Sequence, residues 1–147
     1  MTHATIQVLL VEDSATDVLL TREALGQASV PSIVHVVDNG VEALAFLRRE
    51  GTHAAAIRPD LILLDLNMPR KNGQEVLAEI KTNPDLRSIP VVILSTSQSP
   101  ADIATAYAQH ANCYITKPVE FDVFAKHLHA VLNFWFNVAT LPAPPRP

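Results

Sequence analysis

The sequence predicts an α/β fold in which a doubly wound, five-stranded parallel sheet of flavodoxin-like order 2-1-3-4-5 is flanked by five helices. Three observations predict it. Short apolar runs alternate with longer amphipathic stretches along the chain. The short runs are apolar throughout rather than at every second position, as strands covered on both faces by helices must be. The chain has 147 residues, the size of one ordinary domain and enough to bury a sizeable core.

Taken in order, IQVLLV at 6–11 reads as the first strand, and Ser14 can cap the helix that follows, SATDVLLTREALGQA at 14–28. Gly26 and Pro31 close that helix before IVHVV at 33–37. Gly40 opens GVEALAFLRRE at 40–50, and Pro59 precedes the third strand, DLILLD at 60–65. GQEVLAEIKTN at 73–83 has helical periodicity, and Pro90 leads into PVVILS at 90–95. SPADIATAYAQHA at 99–111, CYIT at 113–116 and a long segment at 119–138 complete the alternation. One domain is expected over 1–138, with an extended last helix, followed by a Pro-rich tail over 139–147 whose LPAPPRP reads as unstructured or polyproline-like.

A net charge of -4 with scattered basic residues argues against nucleic acid, which is held by clustered Lys and Arg. Cys113 is the sole cysteine, so no intramolecular disulfide forms. The start MTHATIQ has neither a basic region nor an apolar run of signal-peptide length, and the longest apolar stretches are far too short to span a membrane. The expectation is a cytoplasmic protein with no nucleic-acid and no membrane partner.

In such a fold, ligands bind beyond the carboxyl ends of the strands. Strand one ends in Glu12 and Asp13, strand three in Asp65, strand four in Ser95 and Thr96, and strand five in Thr116 and Lys117 before Pro118. Singly, each has a plainer reading: a turn aspartate, a capping serine, a solvated lysine, and in Tyr114 a core residue with its hydroxyl at the edge. Together they place three carboxylates, a hydroxyl and an ammonium on one rim. Converging carboxylates repel, and a hard divalent cation such as Mg2+ relieves the repulsion while leaving room for a phosphate oxygen. Asp65 can then attack phosphorus to give an acyl phosphate, with the metal and Lys117 balancing its charge and Ser95 donating to a phosphoryl oxygen.

At these positions the chain resembles the receiver domains of bacterial response regulators, from about Gln7 to Leu132: VEDS, DLNMPRKNG, VVILSTS and CYITKP stand in the family's order and spacing. The resemblance implies Asp65 as phosphoacceptor, with Glu12, Asp13, Asp65 and the Asn67 backbone carbonyl as ligands of Mg2+. It implies that Lys117 meets the phosphoryl group, that Ser95 and the adjoining Thr96 stabilise it, and that Tyr114 is an aromatic switch turning inward as the Ser95 hydroxyl is drawn to the phosphate. It also implies a cis Lys117-Pro118 bond, which only an X-Pro amide adopts cheaply. The strings LRREG, RPDLILLDLNMPRKNGQEVLAEIK and HANCYITKPVEFD are similar to small single-domain regulators paired with phytochrome-type sensor histidine kinases. Asn72-Gly73 replaces the Asp-Gly of many receivers, which leaves the chemistry alone. The implied function is a phosphoacceptor signalling domain and not an enzyme beyond its own phosphorylation and dephosphorylation.

Three alternatives compete. A hydrolase of the haloacid dehalogenase type needs an acid-base aspartate two residues after its nucleophile, where this chain has Asn67. A flavin module would want a hydroxyl- and glycine-rich loop where Glu12 and Asp13 stand, and a pseudo-receiver would not need the intact set of Asp13, Asp65, Ser95 and Lys117. The six histidines read as structural or solvated, and Cys113 as a packing residue. Beyond Phe121, Phe124, Leu128, Val131, Leu132, Trp135 and Phe136 keep helical spacing, but Phe134 lies off that face. An aromatic end formed by Phe134, Trp135 and Phe136, with Val138 and Leu141 beside it, either mediates homodimerisation, meets a partner protein or folds back on its own domain.

Overall fold

Three of the five strands, and most of the other two, are apolar between their ends and need helices on both faces, which the chain supplies. The computed structural model describes residues 5–68 and 70–143. Strands β1 (Ile6–Val11), β2 (Ser32–Val37), β3 (Leu61–Leu64), β4 (Val91–Ser95) and β5 (Cys113–Thr116) form one parallel sheet in the order β2-β1-β3-β4-β5. Helices α1 (Ala15–Gly26), α2 (Gly40–Arg48), α3 (Gly73–Thr82) and α4 (Pro100–Ala108) make the four crossovers, and α5 (Phe121–Asn133) follows the last strand. The predicted fold is the observed one.

Alternation along each strand divides the core into two layers. Leu9, Val11, Ile62, Leu64 and Ile93 face α2, α3 and α4, packing on Leu44, Val76, Leu77, Ile80 and Ala106. Val8, Leu10, Leu61, Leu63, Val92 and Leu94 face α1 and α5, packing on Leu25, Phe124, Leu128 and Leu132. Leu9, Ile62 and Leu63 have no exposed surface. Each such side chain contributes on the order of 1.5–3 kcal/mol by leaving water.

The starts of α1 to α4 are held by side chains, as the sequence suggested at Ser14, whose Oγ accepts from Asp17 N at 3.3 Å. Asn39 and Ser99 cap α2 and α4, and Asn72 forms a reciprocal capping box with Glu75 at α3. Helix α2 ends at Arg48, earlier than predicted, because Arg49 takes a left-handed conformation with φ of 57°.

The last helix departs from a plain α-helix. After Asn133 it widens into a π turn over Phe134–Val138, closed by Ala139 N donating to Phe134 O at 2.7 Å. Irregular chain follows, and 144–147 of the predicted tail lie outside the described residues. The Lys117-Pro118 bond corrects an expectation. Among the described residues no peptide bond is cis, so this one is trans, the isomer an X-Pro amide itself prefers by about 0.5–1 kcal/mol.

Candidate functional site

Backbone hydrogen bonds carry the sheet ladder one residue past the strands and so fix the polar residues at its edge. Glu12 N donates to Val37 O and Asp65 N to Val11 O, both at 3.0 Å, while Lys117 N donates to Ser95 O at 2.7 Å. The structure thereby brings Glu12, Asp13 and Asp65 to one place, with a carboxylate oxygen from each lying within 4.8 Å of the others. Glu12 is 3% and Asp65 8% exposed, whereas Asp13 faces solvent.

Burial and the neighbouring Glu12 carboxylate push the Asp65 carboxyl up to about 6, although Lys117 and a hydrogen bond from Asn67 N at 3.3 Å pull the other way. Lys117 donates from Nζ to Glu12 Oε2 at 2.8 Å and to Asp17 Oδ2 at 3.0 Å. Burial lowers the ammonium's affinity for its proton, but these bonds outweigh it and hold Lys117 above its ordinary range. Glu12 Oε1 also accepts from Ser14 N at 3.1 Å. A set of three oxygen donors, two of them buried and one open to solvent, fits a hard divalent cation that keeps part of its water.

Ser95 is fully buried, and its Oγ accepts from Ser97 N at 3.1 Å. Thr96 is exposed on the rim. Tyr114 is half-buried against the α2–α4 layer, with its hydroxyl donating to Ser97 O at 2.9 Å. The aromatic ring is therefore tied to the segment that follows Ser95. Tyr107 of α4 adds a second tie, its hydroxyl accepting from Tyr114 N at 3.0 Å.

Asp17 is the site residue that sequence reasoning missed. An acid in the first turn of a helix is common because the helix dipole favours it there. Only the fold brings it to Lys117, a hundred residues away in sequence.

Of the aromatic end, Trp135 and Phe136 pack against the α1–α5 layer, while Phe134 is 49% and Val138 66% exposed. Three histidines have structural partners: His35 Nε2 with Gln7 Oε1, His53 Nε2 with Glu42 Oε2, and His129 Nε2 with Ala24 O. His3 lies outside the described residues.

Residues 8–129 match the response regulator receiver domain. The chain belongs to that family. Among its relatives is the response regulator Rcp1 of Synechocystis sp. (strain ATCC 27184 / PCC 6803 / Kazusa), 45% identical over 136 residues, which are 92% of each chain. The phosphorylated cyanobacterial phytochrome response regulator RcpA has a crystal structure 50% identical to this chain. It superposes with a TM-score of 0.90, covering 95% of this chain and all of that one. The Mn(2+)-bound form of Rcp1 is 44% identical with a TM-score of 0.87, over 94% of this chain and 99% of that one. Receiver domains bind Mg2+, and the acidic cluster of Glu12, Asp13 and Asp65 supplies the oxygen ligands this ion prefers. No helix among the described residues is long and apolar enough to cross a membrane.

Proposed function

We propose that this receiver takes a phosphoryl group onto Asp65 from the phosphohistidine of a sensor histidine kinase of phytochrome type, and passes the signal to a protein partner or through homodimerisation. The observation that carries this reading is the convergence of three carboxylates beside the Lys117 ammonium at the carboxyl ends of the strands. The kinship with regulators named for phytochromes supports the choice of kinase.

Glu12, Asp13, Asp65 and the Asn67 carbonyl are the residues that would hold Mg2+ in the cytoplasm. When bound, the ion supplies positive charge to the phosphoryl oxygens. An Asp65 carboxylate oxygen forms the new bond to phosphorus as the phosphorus–nitrogen bond of the phosphohistidine breaks, and the imidazole leaves with the electron pair. Asp65 must be ionised to attack, so a cation that lowers its proton affinity also makes it a nucleophile. Lys117 moves onto the phosphoryl group, and the Ser95 hydroxyl, with Thr96 beside it, donates to another oxygen. Withdrawal of Ser95 pulls on the segment to which the Tyr114 hydroxyl is bound, favouring one of two conformations. The receiver would occupy 1–138 and the Pro-rich tail 139–147.

Intact mass after incubation with a small-molecule phosphodonor tests the reading. One phosphate is expected on the wild-type chain with Mg2+ and none without it or on Asp65→Asn. A phosphate retained by Asp65→Asn would overturn the assignment.

A further inference from the structure

Lys117 does not rest where the proposed reaction needs it. Within 4.0 Å its Nζ meets Glu12 Oε2 and Asp17 Oδ2, and Asp65 is not among its ion-pair partners. Glu12 belongs to the acidic cluster, buried with only 3% of its surface exposed, so its hold on the ammonium is part of the site itself. Asp17 is different. It stands on α1, its side chain is 36% exposed, and it belongs to no carboxylate cluster among the described residues. Asp17, Thr21, Lys117 and Phe124 line a cleft of about 270 Å³ between α1 and the start of α5, and Asp65 takes no part in that lining. The ammonium is therefore shared with a carboxylate on the α1–α5 side of the rim.

The other roles open to Asp17 do not need this contact. Its backbone N–H already closes the N-cap with Ser14 Oγ, and a first-turn carboxylate favours the helix dipole whichever way it points. We propose that Asp17 is a positioning residue: it holds Lys117 on the α1 side until a phosphoryl group draws the ammonium away, and so sets how readily the site is charged. This rests on Asp65 being the phosphoacceptor. Whatever binds at Asp65 and needs Lys117 must give up the Asp17 contact, and that loss is subtracted from its affinity.

Beryllofluoride, a phosphoryl mimic, gives a reading independent of kinase or turnover. With saturating Mg2+, titration calorimetry should show it binding Asp17→Asn roughly two- to five-fold more tightly than wild type, the size of a partly exposed ion pair. Asn keeps the shape and the helix start, so the fold is retained. Asp17→Glu, which restores the charge, should return the wild-type affinity. The gain should persist in about 1 M salt, where the Debye length of about 3 Å removes long-range effects of the charge but not those of contact. Equal or weaker binding by Asp17→Asn, no rescue by Asp17→Glu, or a gain that salt abolishes would each overturn the latch while leaving Asp65 as phosphoacceptor. A wild-type chain that takes up no beryllofluoride would overturn both.

Discussion

Asp65 sits where its charge is least welcome. Its folded value of about 6 lies above its ordinary 3.8, so between those values the native chain binds more protons than the unfolded one. Stability therefore falls as pH rises through that window, and above it the ionised carboxylate costs roughly 3 kcal/mol. Without metal, Asp65→Asn should be more stable than wild type by about 2–3 kcal/mol near neutral pH, with the gap closing toward about pH 4. Urea denaturation in a chelator at several pH values measures it, and a gap independent of pH would contradict this account. Mg2+ should stabilise wild type far more than the variant, since only wild type has the uncompensated charge. Electrostatic discomfort of this kind is the usual mark of a functional site.

The elements around Asp65 are fixed by shape as well as charge. Gly73 opens α3 beneath the loop that follows β3, and a Cβ there would stand 2.1 Å from Asp65 O and 2.6 Å from Leu66 Cα. Gly40 meets the same loop from α2, where a Cβ would lie 2.2 Å from Lys71 O. Gly73→Ala should then cost about 1–3 kcal/mol by overpacking and slow phosphate uptake, because the loop can yield only by moving Asp65. Gly26→Ala is the contrast: nothing lies within 4 Å of its Cβ, and it should be neutral or mildly stabilising. Thermal unfolding together with the rate of phosphate uptake would separate the two; equal behaviour would show that the loop is not pinned there. At this scale the sequence was readable where the signal is local. The strand runs, the Ser14 cap and the polar strand ends follow from neighbouring residues. What could not be read depends on distant pairing. Asp17 meets Lys117 across a hundred residues, and Lys81 Nζ ties the end of α3 to Arg87 O, Ile89 O and Asn112 Oδ1, none of which a local pattern indicates. The π turn also escaped notice, because its apolar spacing matches that of an ordinary helix.

For the whole molecule, the direction of α5 separates the acidic rim from the aromatic end. The helix starts at the acidic rim, just after β5, and runs antiparallel to the strands toward their amino ends. Leu141 and Pro142 line a small cleft there with Arg58, Pro59 and Pro90, so the chain after the π turn lies beneath β3 and β4. Trp135 and Phe136 are partly buried against the core, but Phe134, edge-on to Trp135 at 5.0 Å, and Val138 remain open to water. They share one side of the turn, near the exposed Ala130 of α5. An apolar stripe of this kind suits a second copy, and a dimer built on it would leave Asp65 accessible to a kinase. Light scattering should find the wild-type chain dimeric, and a chain truncated before Phe134 monomeric. Because truncation also strips Trp135 and Phe136 from their packing against the core, Phe134→Glu is the cleaner variant: it places a charge at an already exposed position and should give a folded monomer. If wild type is a monomer, the aromatic end does not pair copies; if Phe134→Glu stays dimeric, copies pair through another face.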